Sequence, residues 1–158
     1  MSASIYRFFQ TKKSLIANDS EVLKKFFRWL KVYCFGGFMR TVLIVEDSLV
    51  QLQILTGYLQ QAGLSVVSVT SGEEMLDKLI KHKLDLIILD VILPGQSGFE
   101  LCRELKADPQ TQQIPVVLCS TKNTEVDKMW GNMLGADAYL PKPVDRLELI
   151  QLVQKLMK

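Results

Sequence analysis

The stretch Leu86-Ile87-Ile88-Leu89-Asp90-Val91-Ile92-Leu93-Pro94 constrains this chain most. A strand with one wet face would alternate apolar and polar residues, so this unbroken run reads as a parallel strand covered on both faces. The run gives way to a loop carrying Pro94, Gly95 and Gly98, and Asp90 stands near that junction. Open α/β sheets gather their ligands at the carboxyl ends of their strands, which makes Asp90 a candidate site residue. A strand-ending Asp is also a common turn former. A second strand ends the same way, with Val42-Leu43-Ile44-Val45 running into Glu46-Asp47. Two apolar strands therefore deliver three carboxylates, to one edge if they share a sheet.

Three like charges within a few ångströms repel one another, and burial makes this worse. Such a group persists when some acids are protonated or when a cation neutralises them. Oxygen-only ligands suit a hard ion such as Mg2+, which keeps several waters and takes one or two carboxylates. A carboxylate left beside it can attack a phosphoryl group and form an aspartyl phosphate. That reaction further needs positive charge and hydrogen-bond donors for the phosphoryl oxygens. Two more strand ends offer them. Val116-Val117-Leu118-Cys119 leads into Ser120-Thr121, and Ala138-Tyr139-Leu140 leads into Pro141-Lys142-Pro143. The prolines stiffen the turn from which Lys142 projects, and an X-Pro bond there is a candidate for the cis form. Taken singly, Ser120 reads as a turn residue and Lys142 as a solvated surface lysine. Together, four strand ends supply metal ligands, a nucleophile, a hydroxyl and a cation in chain order.

With these residues in view, the chain resembles the response-regulator receiver domain of two-component signalling. The resemblance is carried by Glu46-Asp47, Asp90 with Pro94 and Gly98 behind it, Ser120-Thr121, Tyr139 and Lys142-Pro143, over roughly residues 39–158. It implies that Asp90 accepts phosphate from a histidine kinase, and that Glu46, Asp47, Asp90 and the backbone carbonyl of Ile92 hold Mg2+. It implies too that Ser120 binds a phosphoryl oxygen, that Lys142 ion-pairs with the phosphate, and that Tyr139 is the aromatic switch. The segment Asp127-Lys128-Met129-Trp130-Gly131, followed by Gly135-Ala136-Asp137-Ala138-Tyr139, is similar to cyanobacterial single-domain receivers of the PilH and PixH type, linked to type IV pilus motility and phototaxis. Glu46 and Ser120 depart from the Asp and Thr that many members carry. Ile92 and Lys122 stand where the family tunes self-dephosphorylation, and an apolar Ile92 cannot orient an attacking water, which implies a long-lived phosphorylated form.

Strands and helices alternate from residue 39 onward. Strands are expected at about Thr41–Val45, Val66–Val69, up to Asp90, at Val116–Cys119 and at Ala138–Leu140. Helices are expected at about Ser48–Gln61 with Gly63 as a stop, at Glu73–Lys81 with Ser71 as a cap, at Gly98–Lys106, at Asn123–Leu134 and at Val144–Met157. Five such units predict a doubly wound α/β fold, a five-stranded parallel sheet with helices on both faces. By analogy with the chemotaxis receiver its strand order is 2-1-3-4-5. The odd number of cysteines, Cys34, Cys102 and Cys119, argues against a disulfide framework. Cys102 and Cys119 read as small buried hydrophobes of a cytoplasmic protein, and His82 as a solvated helix end.

The first 38 residues differ in kind. Of the chain's 19 Lys/Arg and 17 Asp/Glu, seven and two lie there, a local charge of +5, leaving twelve and fifteen, or −3, in residues 39–158. Val22, Leu23, Phe26, Trp29, Leu30 and Tyr33 fall on one helical face, and Lys24, Lys25, Arg28 and Lys31 on the other. A basic amphipathic helix with an aromatic face reads as a membrane-surface or partner-docking element over residues 20–35. Packing on the receiver is one alternative. Translation from Met39, which would leave the extension unmade, is the other.

The expected function is a non-enzymatic phosphorylation switch. With no DNA-reading module in the sequence, nucleic acid is not an expected partner, and output passes to a protein through the face of the fourth helix, fifth strand and fifth helix, or through a homodimer. A phosphate sink for a shared kinase and a phosphate-independent adaptor are the alternatives within the family. A phosphohydrolase would want an Asp at Ile92, and a flavin binder a phosphate loop where Glu46-Asp47 stands.

Overall fold

A computed structural model of the chain describes residues 40–122 and 124–157. The expected helix over residues 20–35 and Cys34 lie outside the described residues. Five strands, β1 (Thr41–Val45), β2 (Ser65–Val69), β3 (Leu86–Asp90), β4 (Val116–Ser120) and β5 (Ala138–Pro141), form one parallel sheet in the order β2-β1-β3-β4-β5. Helices α1 (Leu49–Gln61), α2 (Gly72–Lys81), α3 (Gly98–Ala107), α4 (Glu125–Met133) and α5 (Arg146–Leu156) alternate with them. The fold is the doubly wound α/β sheet expected from the pattern.

The continuous apolar runs have a simple cause. Along β3, Ile87 and Leu89 join the core on one face with β1 residues Leu43 and Val45, covered by Met75 of α2 and by Leu101 and Leu105 of α3. Leu86 and Ile88 join the other core with Val42 and Ile44, under Leu55 and Leu59 of α1 and Leu149 and Val153 of α5. Every residue of β3 and of β4 is buried, so period-two alternation is absent. Truncating a fully buried side chain such as Ile88 or Leu89 to Ala costs about 2–5 kcal/mol.

Local chemistry sets most helix starts. Ser71 accepts from the backbone N–H of Glu74 at 3.3 Å, as its place before the helix suggested. Ser97 and Thr124 each close a capping box, with Glu100 and Asp127 respectively. Asp145 caps α5 by accepting from Glu148 N–H at 2.9 Å. That cap moves the start of α5 to Arg146, two residues later than the sequence pattern indicated. Likewise α4 opens at Glu125 behind its Thr124 cap. Gly63 follows α1 at φ +86°, a conformation that favours glycine. Cys102 and Cys119 are free and buried, and burial pushes their thiols up to about 11 and about 12. No helix among the described residues is long and apolar enough to cross a membrane.

Candidate functional site

The strand order places the ends of β1, β3, β4 and β5 side by side, with Val45 opposite Leu89, Asp90 opposite Cys119 and Ser120 opposite Pro141. The residues that leave these ends therefore converge. Glu46, just past β1, is 1% exposed, while Asp47 faces solvent. Asp90 closes β3 at 5% exposure, and Ser120 closes β4 at 0%. One carboxylate oxygen from each of Glu46, Asp47 and Asp90 lies within 4.8 Å of the others.

Lys142 sits among them. Its Nζ is 2.7 Å from Glu46 Oε2 and 2.8 Å from Asp90 Oδ2, with its side chain only 6% exposed. The sequence read singly made it a solvated lysine; the structure makes it a buried cation. Lys142 N–H donates to Ser120 carbonyl at 2.8 Å, which ties its backbone to the end of β4, and Lys142-Pro143 is a cis peptide. Two hydrogen-bonded carboxylates outweigh the burial that would lower its pKa, so Lys142 is held above its ordinary value. Burial raises the Glu46 carboxyl; the hydrogen bond from Lys142 opposes the shift, and the charge of Asp90 adds to it.

Asp90 is positioned on both oxygens. Oδ2 meets Lys142, and Oδ1 accepts from Ile92 N–H at 3.2 Å. The loop behind it turns closely under its backbone, with Gly98 N–H donating to Val91 carbonyl at 3.0 Å. A Cβ at Gly98 would collide with the Asp90 carbonyl oxygen, so only glycine fits there.

Ser120 and Tyr139 meet through the backbone of Lys122. Ser120 Oγ accepts from Lys122 N–H at 3.0 Å, and Tyr139 hydroxyl donates to Lys122 carbonyl at 2.6 Å. Tyr139 is half-buried, and burial raises its phenol above the ordinary value, against a hydrogen bond with Ser120. Glu46, Asp47, Asp90, Ser120, Tyr139 and Lys142 thus all fall on this edge of the sheet. Two features were not legible in the sequence: the reach of Lys142 to Glu46, and the use of Lys122 as a backbone hub. Neither has a signal in residue type or spacing.

The arrangement is an oxygen-rich acidic cluster with a nucleophile-sized carboxylate, a cation and a hydroxyl. The donor set fits a hard divalent ion, since three carboxylates and one lysine leave negative charge uncompensated. Comparison with known proteins points the same way. Residues 42–154 match the family model described as the response regulator receiver domain. The chain is 35% identical over 119 residues to protein PilH of Pseudomonas aeruginosa, covering 75% of this chain and 98% of that one. It is 34% identical to the transcriptional regulatory protein GltR of the same organism, of which it spans 49%. Among solved structures, a putative response regulator from Chloroflexus aurantiacus superposes with a TM-score of 0.73 at 33% identity, covering 76% of this chain and 98% of that one. Vibrio cholerae chemotaxis protein CheY4 does so with 0.71 at 32%, covering 75% and 99%. The matched span takes in all four strand ends that build the acidic cluster, and the chain belongs to the response regulator receiver domain family.

Proposed function

We propose that this chain is a phosphorylation switch of a two-component system, with Asp90 as its phosphoacceptor. The observation that carries the reading is the buried Lys142 Nζ bridging Asp90 and Glu46 beside the exposed Asp47. A histidine kinase presents a phosphohistidine, an Asp90 carboxylate oxygen forms the new O–P bond, and the P–N bond breaks with its electrons on the imidazole. Glu46, Asp47, Asp90 and the Ile92 carbonyl would hold Mg2+, which would supply positive charge against the phosphoryl oxygens. Lys142 then pairs with the phosphoryl group, and Ser120 turns its hydroxyl toward it.

The hydrogen bond that Ser120 accepts from Lys122 is given up in that turn. Because Tyr139 holds the carbonyl of the same residue, the change reaches the β4–α4 loop and β5. Output passes to a partner protein across α4, β5 and α5, where Val126, Met129, Met133 and Leu147 stand exposed. Similarity to PilH supports a place in pilus motility. Residues 20–35, if translated, would serve as a basic segment for a membrane surface. Reversible, salt-sensitive binding to anionic vesicles checks this.

Incubation with acetyl phosphate and Mg2+, followed by intact-mass measurement, tests the central claim. One phosphoryl adduct is expected on the parent and none on Asp90→Asn. An adduct that survives Asp90→Asn at full yield overturns it.

A further inference from the structure

Helix α4 carries a glycine in its interior, Gly131, where glycine is the least favourable residue apart from proline. Such a residue calls for a packing reason. Gly131 is the buried residue of α4, and it faces β4 and β5. A Cβ at this position would lie 3.1 Å from Leu118 Cδ1 and 3.3 Å from Tyr139 Cδ2. Carbon pairs settle at about 3.5–4.0 Å, so at least one neighbour would have to give way. Leu118 is 0% exposed within the core, whereas Tyr139 is half-buried and has solvent on one side. The ring is the partner with room to move. Its hydroxyl is fixed at 2.6 Å from Lys122 carbonyl, so displacing the ring by a few tenths of an ångström strains or opens that bond.

We propose that Gly131 is a positioning residue: its missing side chain lets the Tyr139 ring lie against the backbone of α4 and holds the phenol on the Lys122 carbonyl. The inference rests on the reading of Tyr139 as the switch, but the ring's position can be measured without phosphorylation. Gly57, in the interior of α1, supplies the control, because a Cβ there meets nothing within 4 Å.

The experiment compares the parent with Gly131→Ala, Gly57→Ala and the double variant Gly131→Ala/Leu118→Val, using tyrosine ring-labelled protein. The Tyr139 signal is assigned with Tyr139→Phe. In Gly131→Ala the Tyr139 ring resonances should shift, and its phenol should titrate lower, toward the ordinary value near 10. In Gly57→Ala both should stay at the parent values. The double variant, with space opened at Leu118, should move back toward the parent. Tyr139 signals and titration in Gly131→Ala identical to the parent would overturn the proposal, as would a double variant displaced as far as the single one. The switch reading is judged separately. A Tyr139→Phe protein whose spectrum changes on phosphorylation as fully as the parent's would sink that reading and leave the placement of the ring by Gly131 standing.

Discussion

The two ends of the sheet each hold a lysine paired with carboxylate, and they use it differently. At the amino end, before β4 and β5, Lys106 Nζ donates to Asp137 Oδ2 at 2.7 Å, to Ile114 carbonyl at 2.9 Å and to Gln112 carbonyl at 3.2 Å. Asp137 Oδ2 also accepts from Val116 N–H at 2.8 Å. Three ammonium protons meet three acceptors, one charge meets one charge, and the lysine lies in the last turn of α3, where a cation suits the helix dipole. At the carboxyl end one cation, Lys142, serves three clustered carboxylates, and burial resists the ionisation of Glu46. The balanced cluster ties α3 to the edges of two strands. The unbalanced one keeps a deficit of positive charge that a metal ion and a chemical event can answer. Excess like charge in a buried setting separates the two roles; a lysine–carboxylate pair alone does not.

Removing each lysine breaks or sharpens this contrast most strongly. Lys106→Met should cost about 1–3 kcal/mol in denaturant unfolding, because three acceptors lose their donor; partial exposure of the pair keeps the loss below that of a fully buried one. Mg2+ should not restore it. Lys142→Met should also destabilise, by repulsion between Glu46 and Asp90, but here millimolar Mg2+ should recover much of the loss. Equal recovery of both variants by Mg2+, or of neither, would remove the distinction between the two ends.

A smaller effect tests the electrostatic strain at the carboxyl end. The pKa of Glu46 is raised in the fold, so its contribution is fully present below its ordinary value of 4.5 and is lost as pH rises through the raised value. Glu46→Gln cannot ionise. The stability of the parent relative to this variant should therefore fall from about pH 4.5 upward. Equilibrium unfolding across that window checks it, and a rising difference would mean that Lys142 over-compensates the charge. The smallest effect sets a baseline away from both ends. Gly57→Ala on α1, with open space around its Cβ, should stabilise the protein by about 0.5–1 kcal/mol. A destabilised Gly57→Ala would show that propensity is not the governing term on that helix.

Much of the architecture was readable beforehand. Unbroken apolar runs announced buried parallel strands, and Ser71 and Gly63 marked helix ends within a residue or so. The start of α5 at Arg146 is set by the Asp145 cap, which overrides the apolar pattern that begins at Val144. Glu46, Asp47, Asp90, Ser120 and Lys142 share a place at strand ends in the sequence, and the strand order brings those ends together.

What the sequence determined by itself was the type of each element and which residues leave the strands at the ligand-binding edge, because periodicity, capping and turn chemistry are local. Tertiary structure alone decided that Lys142 would reach Glu46 as well as Asp90, that Lys122 would link Ser120 to Tyr139 through its backbone, and that Lys106 would find Asp137. Those contacts join residues far apart in the chain, or run through main-chain atoms common to every residue type. Their partners are chosen by where the sheet order and helix packing place the backbone, and no side-chain identity encodes that choice.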